Sequence, residues 1–165
     1  MKMIENIKNL DINITWRLLY IAVQEKMISP EDVIEYAADI LMQGDDRMAI
    51  CELAGADKND SEYIKEKLFE LVQDENSDKD FEERKIRAVV ISEELKEKNS
   101  NYINGLMELT ELWVRFGYPE DSPHVIQGRD NNISPTDYYT QSNYDKLYAK
   151  NKEWLEKELY FLKNK

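Results

Sequence analysis

Apolar side chains recur along the chain at helical intervals. Trp16, Leu19, Tyr20, Val23 and Met27 stand at i, i+3, i+4, i+7 and i+11, and Val33, Tyr36, Ala37, Ile40 and Leu41 resume the pattern after Ser29-Pro30. Ile64, Leu68, Leu71 and Val72 form a third stripe. Ile103, Leu106, Met107, Thr110, Trp113 and Val114 form a broader one, and Tyr144, Leu147, Tyr148, Asn151, Leu155, Leu159 and Leu162 a long C-terminal one. Each fits a helix with one face in a core, and no period-2 alternation of strand length competes with them.

The spacing predicts helices near 14–27, 30–43, 46–54, 61–74, 79–98, 101–117 and 142–163, with a short helical turn near 135–139. Residues 1–12 are left unassigned. In 79–98, Phe81, Ile86, Ala88, Val89, Val90, Ile91 and Leu95 spread around more than one face, as in a helix central to a core. Start signals agree with these bounds. Ser29-Pro30-Glu31-Asp32 and Ser134-Pro135-Thr136-Asp137 each place a hydroxyl at the N-cap, proline at the first helical position and acid beside the positive dipole end. Asp60-Ser61-Glu62 and Ser77-Asp78 are further starts, Asp45-Asp46 reads as an N-terminal cap, and Gly44, Gly55 and Gly117 fall where C-caps are needed.

The expected fold is therefore all-α: a single-domain bundle of about seven helices over 1–165, with one long ordered loop near 117–135. The solvated segment 74–80 is the one place where a subdomain break would fall. Only nine residues are glycine or proline, and five of them lie between Gly117 and Pro135. Two prolines with Val125, Ile126 and Ile133 give this loop a packed path, and long ordered loops are disproportionately functional.

Charge narrows the range of partners. The 165 residues carry 34 acids and 22 Lys or Arg, for a formal charge of −12. Such an excess repels nucleic acid and anionic membrane surfaces, so neither is expected as a partner. Residues 1–56, 57–98 and 99–145 each sum to −5, whereas 146–165 sum to +3. Between 108 and 137, Glu108, Glu111, Glu120, Asp121, Asp130 and Asp137 are offset only by Arg115 and Arg129. An acidic surface of this kind suits a basic protein partner, where opposed potentials speed encounter and select the partner. Tyr118, Tyr138 and Tyr139 flank the loop, and tyrosines beside a charged loop are common interface anchors. The expected contact set is Glu108, Glu111, Glu120, Asp121, His124, Arg129, Asp130, Asp137, Tyr118, Tyr138 and Tyr139.

Catalytic patterns are thin. His124, the single histidine, could form an acid–base pocket with Asp121, Asp130 and Arg129. The plainer reading is that His124 and Arg129 hold the loop in shape. There is no glycine-rich phosphate cradle and no HExxH, and Asp130-Asn131-Asn132 lacks the spacing of a calcium loop. Cys51 is alone, which rules out an internal disulfide, and in its apolar helical setting it reads as a small buried hydrophobe. No catalytic residue, cofactor or metal ligand is identified. The longest apolar run, Leu18 to Val23, is far short of a bilayer span, and MKMIENIKNL lacks the apolar core of a signal peptide, so a cytoplasmic protein is expected.

One stretch adds a resemblance. Leu109-Thr110-Glu111-Leu112-Trp113, Phe116-Gly117-Tyr118-Pro119-Glu120-Asp121, Pro123-His124, Gln127-Gly128-Arg129-Asp130-Asn131-Asn132 and Ser134-Pro135 together resemble an uncharacterised bacterial family of small acidic proteins. The resemblance carries no activity. Proteins of this sort often resemble the immunity partners of bacterial toxins, and an acidic protein can block the cationic cleft of a nuclease-like domain. A non-catalytic immunity-type module is thus the leading expectation. An enzyme using the His124 pocket and a homodimeric scaffold are the alternatives.

Overall fold

The computed structural model describes residues 2–165. All regular structure among them is helical: α1 (Lys2–Asn9), α2 (Trp16–Gln24), α3 (Pro30–Met42), α4 (Met48–Ala54), α5 (Ser61–Gln73), α6 (Lys79–Glu94), α7 (Tyr102–Arg115), α8 (Pro135–Tyr138) and α9 (Gln141–Lys163). The all-α expectation holds. Two helices exceed the seven periodic segments: α8, anticipated as a turn, and α1, whose pattern is too short to read. Only Ile4 and Ile7 of α1 are buried, and a single i, i+3 pair is a weak signal.

Capping sets several boundaries. Ser29 and Asp32 form a reciprocal capping box that starts α3 at Pro30. Asp60 accepts from Tyr63 N at the start of α5, and Asp78 accepts from Phe81 N at the start of α6. Thr15 accepts from Leu18 N, which starts α2 at Trp16 rather than near residue 14. Asp45 departs from its expected role. It binds the Arg47 guanidinium at 2.8 and 3.0 Å, and Arg47 occupies the N-cap of α4 without a side-chain cap bond.

The chain divides into two compact units, one ending at Val89 and the other spanning Val90–Lys165. The division falls inside α6, and residues 74–80 belong wholly to the first unit. In that unit α2 packs on α5, and α3 on α4 and α5, while α4 also meets α5. Leu18, Leu19, Ala22, Val33, Ala37, Ile50, Leu53, Ile64 and Leu68 are fully buried there. Segment 74–80 is fastened to α2. The Glu75 carboxylate accepts from Trp16 N (2.8 Å) and Arg17 N (3.1 Å) at the positive end of that helix, and Ser77 Oγ accepts from Arg17 Nε (2.9 Å). One turn further on, Lys85 Nζ donates to Glu82 Oε1 and to Asn13 O, both at 3.0 Å, with Lys85 and Glu82 each 2% exposed. Burial raises the Glu82 pKa, while the Lys85 ammonium opposes that shift.

In the second unit α7 packs on α9. Trp113 of α7, fully buried, donates from Nε1 to Asn151 Oδ1 of α9 at 2.7 Å, and Asn151 Nδ2 donates to Leu147 O at 2.8 Å. The indole also meets Trp154 edge-on at 5.0 Å. Asn151, placed by its spacing on the buried stripe, is thus the polar partner that lets Trp113 lie in the core. Close approach of the two helices requires Gly105, because a Cβ there would stand 2.3 Å from Tyr144 Cζ.

Candidate functional site: the 116–138 loop and its acidic surroundings

The loop begins where α7 unwinds. Gly117 N bonds Val114 O and Tyr118 N bonds Trp113 O, both at 2.9 Å, so the chain reverses through two left-handed residues, Gly117 (φ 75°) and Tyr118 (φ 47°). Tyr118 is not a residue that favours this conformation. Its ring is held at both ends: Oη donates to His124 O at 2.8 Å, and the Arg129 guanidinium lies over the ring face at 4.5 Å.

His124 sits at the centre, 1% exposed. Its Nε2 is 2.9 Å from Thr110 Oγ1 on α7 and 3.3 Å from Tyr138 Oη on α8. Tyr138 Oη donates to Val125 O at 2.6 Å, so towards the ring it can only accept. The network therefore assigns the proton to Nε2 and leaves Nδ1 as an unprotonated buried nitrogen without a hydrogen-bond partner. Burial lowers the pKa of the ring from 6.5 to about 4, which keeps it neutral at physiological pH. A carboxylate-oriented imidazole, as an acid–base pocket with Asp121 or Asp130 would require, is not the arrangement found: the ring bonds hydroxyls. Arg129, the fourth member of that pocket, is committed to Tyr118.

Asn131 organises the second half of the loop. Its Nδ2 donates to Ile126 O and Arg129 O, both at 2.9 Å, and its Oδ1 accepts from Gly128 N and Ile133 N, both at 3.1 Å. Gln127 Nε2 adds a bond to Ile133 O at 2.8 Å. Gly128 (φ 76°) and Asp130 (φ 59°) make the turns around this hub. Ser134 then caps α8 by accepting from Asp137 N, and Thr140 caps α9 by accepting from Asn143 N.

The expected contact residues separate by burial. Glu108, Glu111, Glu120, Asp121, Arg129, Asp130 and Asp137 are exposed, and Tyr118 and Tyr139 are half-buried. His124 and Tyr138, each 1% exposed, lie inside the loop and present no surface; His124 Nε2 and Tyr138 Oη face Thr110, Val125 and each other. Cys51 is also corrected. It is exposed, and its Sγ meets Asp46 O at 3.5 Å.

A shallow cleft in the second unit adds residues that sequence reasoning missed. Glu94, Leu95, Glu97, Gly105, Glu108, Leu109, Leu112, Tyr144 and Tyr148 line it. Tyr144 Oη accepts from Asn99 N at 2.9 Å, and Asn99 Nδ2 donates to Glu108 Oε1 at 2.9 Å. Lys98, ion-paired with Asp145, covers the Tyr144 and Tyr148 rings at 5.2 and 5.4 Å. Glu94 and Glu97 sit at the end of α6 and just beyond it, so their sequence neighbourhood of mixed charge conceals that they join Glu108. Among the described residues no three His, Cys, Asp or Glu are grouped to hold a metal ion, and no helix is long and apolar enough to cross a membrane.

No curated protein and no solved structure matches the chain. A family model does, over residues 4–159, well beyond the 109–135 stretch that carries the resemblance. The chain therefore belongs to the family of uncharacterised proteins conserved in bacteria, DUF2247.

Proposed function

We propose that the chain is a non-catalytic binding module whose acidic 108–137 region docks a basic protein, as an immunity protein does when it neutralises a cationic toxin domain in the cytoplasm. The observation that carries this reading is the opposite placement of the loop's two kinds of polar group. The imidazole is withdrawn into a structural network at 1% exposure, whereas Glu108, Glu111, Glu120, Asp121, Asp130 and Asp137 are all solvent-facing. Inhibition of this sort needs no chemistry from the inhibitor. It needs a shaped, preorganised surface, and the Asn131 and Tyr118 contacts supply rigidity to one. The carboxylates would raise the association rate and select the partner, and tyrosine faces would supply desolvated contact.

The experiment is co-expression with the product of each adjacent gene. The expected result is co-purification and rescue of growth when that product is toxic, with capture weakened by salt and by Glu120→Lys with Asp121→Lys. Failure to bind or protect against any neighbour refutes the reading.

A further inference from the structure

Helix α7 carries a second feature on its solvent side. Ile103, Met107 and Val114 are 42%, 48% and 53% exposed. At 3.6 residues per turn they fall within about 40° of one another, in a line about 16 Å long. Isolated exposed apolar residues are ordinary, but three aligned on one helix form a ridge. Its two edges differ. Glu111 and Glu108 stand about 80° and 140° round the exposed side from Ile103, with the exposed Arg115 at about 120° near the C-terminal end. On the opposite edge Thr110 bonds His124, so the acidic loop runs alongside.

We infer that this ridge is the apolar centre of the docking surface and that its occupant is a cationic amphipathic helix of the partner protein. The inference rests on the proposed basic partner and names the part of that partner that is bound. A straight apolar ridge suits the complementary ridge of a helix, and carboxylates along its side suit lysine or arginine flanking that helix's apolar face. A second copy of this chain would bring Glu108 and Glu111 towards the same carboxylates. An anionic lipid surface would meet the same repulsion.

The test uses the full chain with labelled methyl groups and three synthetic helical peptides. One has leucines at i, i+3, i+4 and i+7 among lysines, the second replaces those leucines by serine, and the third replaces the lysines by glutamate. The leucine–lysine peptide should perturb the Ile103, Met107 and Val114 methyls saturably. Its affinity should fall roughly tenfold in Met107→Ser with Val114→Ser, a pair of solvent-facing changes that leaves the core intact. Equal binding of the serine peptide overturns the ridge while leaving the basic-partner reading standing, and equal binding of the glutamate peptide overturns the charge complementarity. Absence of methyl perturbation overturns the inference. So do concentration-dependent methyl shifts of the free protein that the double substitution abolishes, since a second copy would then be the occupant.

Discussion

Acidification should unfasten the loop through His124, and the size of the effect follows from its surroundings. The folded ring titrates at about 4 against 6.5 when unperturbed, because protonation at Nδ1 would create a buried cation with an N–H that has no acceptor. Between these values the unfolded chain binds a proton that the folded chain does not, so stability rises with pH across that window. The penalty is absent well above pH 6.5, grows as pH falls and levels off below about 4. A difference of this size corresponds to about 3 kcal/mol. Urea unfolding of the native chain and of His124→Gln, measured in parallel from pH 8 to pH 4, isolates it. Glutamine keeps a donor towards Thr110 and Tyr138 but cannot titrate, and the carboxylates common to both chains cancel in the difference. The native chain should lead at pH 8, with its advantage shrinking by about 3 kcal/mol by pH 4. A difference that stays flat with pH, or an imidazole titration midpoint near 6.5, would refute the placement of this ring.

Other perturbations separate structural roles. Lys85→Met strands a buried carboxylate and should destabilise the chain by about 3–5 kcal/mol in chemical denaturation, with much of the loss restored when Glu82→Leu is added. Gly105→Ala should lower the thermal midpoint by an amount corresponding to about 1–3 kcal/mol, because the Tyr144 ring must give way. An unchanged midpoint would mean that α7 and α9 stand further apart. Asn131→Ala removes four loop bonds, and limited proteolysis should then cut within 126–133 at a protease concentration that leaves the native loop whole.

Helical periodicity exposed most of the architecture because the apolar stripes here are long and their caps explicit. Ser29-Pro30 and Ser134-Pro135 start α3 and α8 at the residues their chemistry specifies. Periodicity fails where a helix is short, as in α1. In α6 the apolar residues spread around the helix as read from its spacing, with Ile86, Ala88 and Val89 before the division and Ile91 and Leu95 after it. The loop's extent was legible from its glycines and prolines, but its interior was not. Burial of His124 depends on Thr110 and Tyr138 converging from two helices, a tertiary coincidence with no local signature. Asn131 reads as one polar loop residue among several until its four partners are seen. Glu94, Glu97 and Glu108 become neighbours only when the end of α6 lies against α7 and α9. Lys85 and Glu82 carry no local sign of burial, and one partner of Lys85, Asn13 O, lies 72 residues away in the sequence.

The hydroxyls of Tyr118 and Tyr138 pin the middle of the loop at consecutive carbonyls, those of His124 and Val125. One long excursion thereby becomes two short arcs joined at a fixed node, and each arc displays an aspartate, Asp121 on the first and Asp130 on the second. Arg129 of the second arc lies over the ring of Tyr118, whose hydroxyl holds the node, so a change at Arg129 reaches the anchorage of both arcs.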